Sequence, residues 1–119
     1  MSNQVVPILL NLLAGLIGAF GQYAYKKGSL KLSEVPILQN YSIWIGVFLF
    51  CIVMVLFVMG YKMGGRISVV YPYYATTFIW GALIGKFLER EPMNTSIIGG
   101  TLLIIAGLIW IAKDLEVAS

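Results

Sequence analysis

The chain contains no histidine, and Cys51 is its only cysteine. Histidine and cysteine hold most transition metals in proteins, so their scarcity argues against a metal centre. A lone cysteine also excludes a disulfide within the chain and tells nothing about the redox compartment. Without histidine, and without a carboxylate beside a hydroxyl in the apolar segments, the sequence offers no activated nucleophile. We therefore expect neither a cofactor nor a catalytic residue, and the chain is not expected to be an enzyme.

Charged residues are also few. The 119 residues include eight lysines and arginines and five acidic residues, whereas 60% are hydrophobic. This composition is untypical of a water-soluble domain. The basic residues occur in short turns rather than along one face, so we expect no nucleic-acid interface. The sequence indicates an integral membrane protein.

Four apolar segments are long enough to cross a bilayer, which requires roughly 20 residues per helix. They cover residues 7–25, 41–61, 67–88 and 95–112. The polar or glycine-rich stretches between them mark turns. We therefore expect one domain over residues 1–119, an all-α membrane protein whose four transmembrane helices form a bundle. A slight excess of lysine and arginine in the first and third connections favours both termini outside.

One face of the first span carries polar and small residues. At 3.6 residues per turn, Asn11, Gly15, Gly18, Gln22 and Lys26 follow one another along one side of a helix. A polar group left unpaired in hydrocarbon costs several kcal/mol, so this face must contact protein or a hydrated cavity. Small residues beside an amide also form close helix–helix contacts. The first span alone leaves both interpretations open.

The third span has a comparable face that begins within VVYPYYATT, residues 69–77. The residues that share it are Tyr71, Tyr74, Ala75 and Phe78. Pro72 removes a backbone donor and obstructs the preceding turn, which weakens the helix there. One alternative is a packing kink with Tyr71 at the membrane interface, but two phenols above small residues favour a pocket wall. We expect this face of the third span and the polar face of the first span to lie opposite each other, on the two sides of a hydrated gap.

All five acidic residues lie outside the four spans. Proton-coupled exporters of organic cations usually need a carboxylate within the membrane. The charges nearest the membrane interior are instead Lys26 and Lys86, which favour an anionic group such as phosphate. The alternative is that these lysines simply extend from helix ends to the membrane surface.

Two glycines of the fourth span, Gly100 and Gly107, are nearly two helical turns apart on one face. This spacing favours close contact with another helix. Four short helices enclose little volume, and transport requires two halves that move around a substrate. We therefore expect the protein to function as a dimer.

These segments together resemble a known family. The stretches GQYAYKKGS (21–29), VVYPYY (69–74), FIWGAL (78–83), EREP (89–92) and GGTLLIIAG (99–107) are similar to four-helix members of the drug/metabolite transporter superfamily. The subgroup that they most resemble is the aminoarabinose-lipid flippase subunits, which are relatives of the small multidrug resistance exporters.

The resemblance implies a multi-pass protein of a bacterial or archaeal cytoplasmic (inner) membrane. Its first three spans would surround the pathway, and Gly100 and Gly107 would pair it with a second copy or with a similar four-helix chain. Flippase relatives move an undecaprenyl-phosphate-linked sugar between leaflets. The resemblance also implies that Tyr71 faces substrate. Gly18 takes the position of the exporters' essential acidic residue, which argues against proton-coupled drug export.

The leading hypothesis is a transporter or flippase, surrounded by membrane lipid, of an amphipathic, phosphate-bearing lipid-linked sugar. The expected substrate-binding residues are Asn11, Gly15, Gly18, Gln22, Lys26, Tyr71, Tyr74, Ala75 and Phe78. Lys26 would bind the phosphate, and the small residues would leave clearance. One alternative is a small multidrug resistance-like exporter of small cations or metabolites, which would hold a cation on tyrosine faces. Another is an accessory subunit of a larger membrane assembly.

Overall fold

The computed structural model describes residues 4–118, with side chains through residue 113. All regular structure in this range is helical, and four helical segments are long and apolar enough to cross a bilayer. They are α1 (Val5–Ser29), α2 (Tyr41–Lys62), the interrupted span Ile67–Phe87 and, in the fourth position, α5 (Thr95–Ala118). The predicted all-helical fold, with four helices long and apolar enough to span a membrane, is confirmed for the described residues. The first and last helices extend beyond their predicted ends.

The third span is not a continuous α-helix. It consists of α3 (Ile67–Val70), a 3₁₀ segment (Tyr71–Ala75) and α4 (Thr76–Phe87). Pro72 has no backbone N–H and its ring clashes with the turn before it, so a regular α-helix cannot run through this point. The chain adopts the tighter 3₁₀ winding instead. The weakened backbone predicted around Pro72 is observed.

The helix α1 lies at the centre of the molecule and packs along α2, the 3₁₀ segment and α4. Small residues allow the helices to approach closely. A Cβ at Gly21 would lie 2.6 Å from the Phe50 ring, and one at Gly46 would lie 2.5 Å from the Tyr25 ring. The rings of Tyr25 and Phe50 stack with their centroids 5.3 Å apart. Glycine on one helix thus receives an aromatic ring from the other, as in membrane helix interfaces.

Two buried polar side chains hold the ends of the bundle together. At one end, Gln4 Nε2 donates to the Gly64 carbonyl at 3.0 Å, and Gln4 Oε1 accepts from the Arg66 N–H at 2.7 Å. At the other end, Asn40 Nδ2 donates to the Gly28 carbonyl at 2.7 Å. The Gln4 bonds pair backbone groups of the turn between α2 and the third span, and Asn40 gives the Gly28 carbonyl a second donor beside the Lys31 N–H. They fix the start of α1 against the turn between α2 and α3, and the end of α1 against the connection that leads to α2.

The last helix, α5, lies at the edge of the molecule. The Asn94 side chain caps its start by accepting a hydrogen bond from the Ile97 N–H at 3.0 Å. The Tyr73 hydroxyl donates to the Leu108 carbonyl at 3.3 Å, and Ile111 packs against the small buried cluster near the start of α1. Only 6% of the apolar stretch of α5 is buried, against 39% for α1. Most of the apolar surface of α5 therefore lies on the outside of the single chain.

Candidate functional site

An open cleft of about 380 Å³ lies between α1 and α4. Its walls are Ala19, Gln22, Tyr74, Thr77, Phe78 and Gly81. Pockets for small ligands typically measure about 300–1,000 Å³, so this volume is sufficient for a compact polar group. The side chains of Gln22 and Phe78 are exposed, which leaves the cleft open toward the outside of the single chain. One amide and two hydroxyl groups on an otherwise apolar wall suit an amphipathic molecule.

The cleft continues toward the C-terminal end of α1. A smaller space of about 140 Å³ shares Ala19, Gln22 and Gly81 with the first. It ends at a charged cluster of Lys26, Glu89 and Glu91. A continuous path therefore connects the aromatic middle of the cleft to a charged end.

Lys26 is paired with two carboxylates at that end. Its Nζ lies 3.0 Å from Glu89 Oε1 and 2.7 Å from Glu91 Oε2. The Lys26 side chain is 47% exposed, so water screens both pairs. Both glutamates belong to a connection in the sequence, and Lys26 was expected to be available for phosphate. The structure brings them together because the ends of the first and third spans meet at the same end of the bundle.

The turn after α4 positions Glu91 against the bundle. Arg90 adopts a left-handed backbone with φ of 56°, and the Glu91 N–H donates to the Gly85 carbonyl at 2.8 Å. A Cβ at Gly85 would lie 2.5 Å from Glu91 Oε1, so only glycine lets this carboxylate approach without a shift. The left-handed conformation costs a non-glycine residue roughly 1–2 kcal/mol. The local backbone therefore holds Glu91 where it meets Lys26.

Gly15 and Gly18 do not leave clearance for a substrate, which corrects the sequence-based expectation. A Cβ at Gly15 would lie 2.6 Å from Thr76 Oγ1, and the Tyr74 hydroxyl lies directly against Gly18. The 3₁₀ segment and the start of α4 approach α1 so closely that they fill this space. The two glycines set the distance between the first and third spans and seat Tyr74. Clearance in the cleft comes instead from Gly81, where a Cβ would meet nothing within 4 Å.

Asn11 also lies outside the cleft. It is fully buried, and its Nδ2 donates to the Pro7 carbonyl at 3.2 Å within α1. Its nearest neighbours include Gly60 of α2, and its Oδ1 has no hydrogen-bond partner among the described residues. Asn11 precedes Ala19 by more than two helical turns, about 12 Å along α1. It therefore belongs to the α1–α2 interface, and its expected contact with substrate has no support in the geometry.

The two tyrosines predicted to share a face do so, but only one lines the cleft. Tyr71 and Tyr74 both meet the Phe57 ring edge-on, with centroids 6.0 Å and 5.0 Å away. Residues three apart eclipse each other in a 3₁₀ helix, which explains the shared partner. Tyr71 lies one turn, about 6 Å, farther from the cleft. Ala75 is half-buried in the same segment and is not part of the cleft wall.

The structure thus brings together four of the predicted site residues: Gln22, Tyr74, Phe78 and Lys26. The two spaces are also lined by residues that the sequence did not single out, among them the polar or open positions Thr77, Gly81, Glu89 and Glu91. Thr77 and Gly81 follow Tyr74 at helical spacings of three and seven, a signal that was present in the sequence. The predicted dimer-contact glycines, Gly100 and Gly107, are exposed, and a Cβ on either would meet nothing within 4 Å.

Comparisons of the chain with protein-family models, with curated proteins and with solved structures found no match.

Proposed function

We propose that the chain is a subunit of a membrane transporter that moves an amphipathic, phosphate-bearing lipid-linked sugar between bilayer leaflets, as a flippase does. The observation that supports this most strongly is the continuous cleft from Gln22 and Tyr74 to Lys26. Polar groups line its middle, a cation stands at its end, and its side is open. This combination fits a substrate with a polar headgroup, a phosphate and a long apolar chain.

The polar lining addresses the main energetic obstacle to flipping a headgroup. A sugar hydroxyl that leaves water without a new hydrogen bond costs several kcal/mol in an apolar medium. Gln22 offers an amide that can donate and accept, and Tyr74 and Thr77 offer hydroxyl groups at the same depth. The exposed edge at Phe78 lets the apolar chain of the substrate remain in the bilayer. The headgroup would thus exchange water for protein partners.

Lys26 would bind the phosphate at the end of the path. An ammonium group forms short, charge-assisted hydrogen bonds with phosphate oxygens. Lys26 lies within the last turn of α1, near the level expected for lipid headgroups. A phosphate there and a sugar between α1 and α4 would occupy the two connected spaces at once.

A second chain would complete the transporter. The cleft is open on one side, and alternating access requires two parts that move around the substrate. The exposed face of Gly100 and Gly107 on α5 is suited to close contact with another helix. The partner is a second copy or a similar four-helix chain, and the assembly belongs in a bacterial or archaeal cytoplasmic membrane.

A second candidate, an exporter of small organic cations, has one observation in its favour. Glu89 and Glu91 together carry one more charge than Lys26 neutralises, and aromatic rings of Tyr74 and Phe78 line the adjoining cleft. A cation could bind to the carboxylate and to the ring faces. Resistance to cationic dyes upon expression, abolished by Tyr74→Ala, would favour this candidate.

The leading proposal is tested by flipping assays in proteoliposomes that contain polyprenyl-phosphate sugars. We expect Lys26→Ala to lower the initial rate by about tenfold or more, because it removes a charge-assisted contact. Tyr74→Phe should lower the rate by about twofold to tenfold through loss of one hydrogen bond. Tyr71→Phe is the matched control, since it makes the same change one turn outside the cleft. Unchanged rates for both cleft variants with every tested sugar would refute the proposal.

A further inference from the structure

The charged end of the cleft already contains two anions. Glu89 Oε1 and Glu91 Oε2 lie 3.0 Å and 2.7 Å from Lys26 Nζ, the atom proposed to bind the phosphate. An ammonium group has three donors, and these two contacts use two of them. A phosphate that arrived beside both carboxylates would also be repelled by two negative charges. The phosphate and the carboxylates therefore compete for one cation.

The glutamates are held at this position by the backbone. The Glu89 N–H donates to the Ile84 carbonyl at 3.2 Å, and the Glu91 N–H donates to the Gly85 carbonyl at 2.8 Å. Gly85 leaves the room that the Glu91 carboxylate occupies. A salt bridge between two mobile surface side chains can form without backbone hydrogen bonds or a glycine that hold the carboxylates in place. The turn is therefore shaped to present two carboxylates to the end of α1.

We propose that Glu89 and Glu91 form an internal anion that occupies Lys26 in the substrate-free protein, and that a phosphate enters the charged end only by displacing them. This inference rests on the proposed function and adds a selectivity step to it. Neutral headgroups cannot replace the carboxylates at Lys26, whereas a phosphate can. The two glutamates thus determine which headgroups reach the end of the cleft.

Displacement also has a mechanical consequence. Glu89 and Glu91 belong to the short connection between α4 and α5, whose helices begin or end within a few residues of them. When the carboxylates leave Lys26, this connection loses its two ion pairs with α1. Arrival of the phosphate would therefore release the connection that precedes α5 from the end of α1.

The inference is tested by removing the internal anion while keeping its shape. The variant is the double substitution Glu89→Gln and Glu91→Gln, and Glu34→Gln is the matched control. Glu34 is an exposed carboxylate in the connection after α1, whereas the ion pairs of Lys26 are with Glu89 and Glu91. Glu34→Gln removes one negative charge, as the single variant Glu91→Gln does, and the double variant removes two. Binding of a short-chain polyprenyl phosphate and of the corresponding polyprenol is measured in detergent micelles. We expect about fivefold tighter binding of the phosphate by the double variant, with polyprenol binding unchanged.

A second measurement reports on Lys26 directly. Amine-reactive labelling followed by mass spectrometry compares Lys26 with its neighbour Lys27, which lies over the Tyr23 ring and has no carboxylate partner in the described part of the chain. The labelling ratio of Lys26 to Lys27 should rise severalfold in the double variant and return to the wild-type value when polyprenyl phosphate is added. The single variant Glu91→Gln should show a smaller rise, which guards against misfolding of the double variant.

The outcomes separate this inference from the proposed function. If the wild type prefers phosphate over polyprenol through Lys26, but the double variant binds phosphate no more tightly, the competition is refuted and the transport proposal stands. If neither protein distinguishes the phosphate from the alcohol, both proposals fail. An unchanged labelling ratio in both glutamate variants would also overturn the competition.

Discussion

Gly15 and Gly81 lie on neighbouring helices, yet they serve opposite purposes. At Gly15 the absent side chain makes room for Thr76 and for the backbone of α4, whereas at Gly81 it leaves part of the cleft open. Glycine thus allows close helix packing at position 15 and lines the cleft at position 81. Which of the two it does depends on what faces it.

This difference predicts opposite effects of the same substitution. We expect Gly15→Ala to lower the free energy of unfolding by about 1–3 kcal/mol, because the new methyl group overpacks the α1–α4 contact. Gly81→Ala should leave it unchanged or raise it by up to about 1 kcal/mol, since alanine is the better helix former and meets open space. Reversible unfolding in mixed detergent micelles measures both values. Equal losses in the two variants would contradict the packing described here.

At the scale of one element, the third span combines three segments of two windings, α and 3₁₀, in 21 residues. The 3₁₀ segment rises about 2.0 Å per residue and an α-helix about 1.5 Å. Over its five residues the difference amounts to roughly 2.5 Å along the axis, together with a rotation. The position of Tyr74 against Gly18 therefore depends on the break at Pro72.

Restoring the backbone donor should move that tyrosine. In Pro72→Ala the N–H at position 72 can bond to the preceding turn, so we expect the 3₁₀ segment to relax toward α-helix and Tyr74 to leave its seat. Amides of residues 71–76 should exchange hydrogen more slowly, while the flipping rate in proteoliposomes falls severalfold. Pro92→Ala, in the connection before α5, is the control that should change neither. Unaltered exchange in Pro72→Ala would show that the segment is not set by the proline.

The whole molecule is thin. Its principal extents are 54 × 36 × 16 Å, and its last helix lies at the edge with little buried surface. Large apolar side chains are exposed along α5, among them Leu103 and Trp110 on the same side as Gly100 and Gly107. Hydrocarbon can cover such a surface, but glycines on it offer a second helix a close approach.

The proposed pairing predicts different results for neighbouring glycines. We expect Gly100→Leu to weaken association of two chains by roughly tenfold or more, because a bulky side chain would separate the α5 helices. Gly99→Leu is the control: its Cβ also meets open space within the chain, but it lies about 100° away around the helix. Native mass spectrometry of the detergent-extracted protein reports the stoichiometry. A wild type that is monomeric, or a Gly100→Leu variant that still pairs, would refute this arrangement.

Local chemistry was enough to predict the number of spans, their approximate bounds and the break in the third. Hydrocarbon thickness sets the length of an apolar helix, and Pro72 interrupts the helix through its own ring. The shared face of Tyr71 and Tyr74 also followed from spacing along one segment. These features depend on residues close together in the chain, so reading the amino acids in order was sufficient.

Packing between distant segments settled the remainder. Periodicity placed Gly15, Gly18 and Gln22 on one face of α1. The distance to the third span decided that Thr76 and Tyr74 occupy the space beside the two glycines, whereas Gln22 lines the open cleft. Lys26 and Glu91 are 65 positions apart, and their contact arises because two helix ends meet in three dimensions. A hydropathy profile follows the order of residues along the chain and contains no distance between two helices. The cleft and its charged end therefore became visible only in the folded molecule.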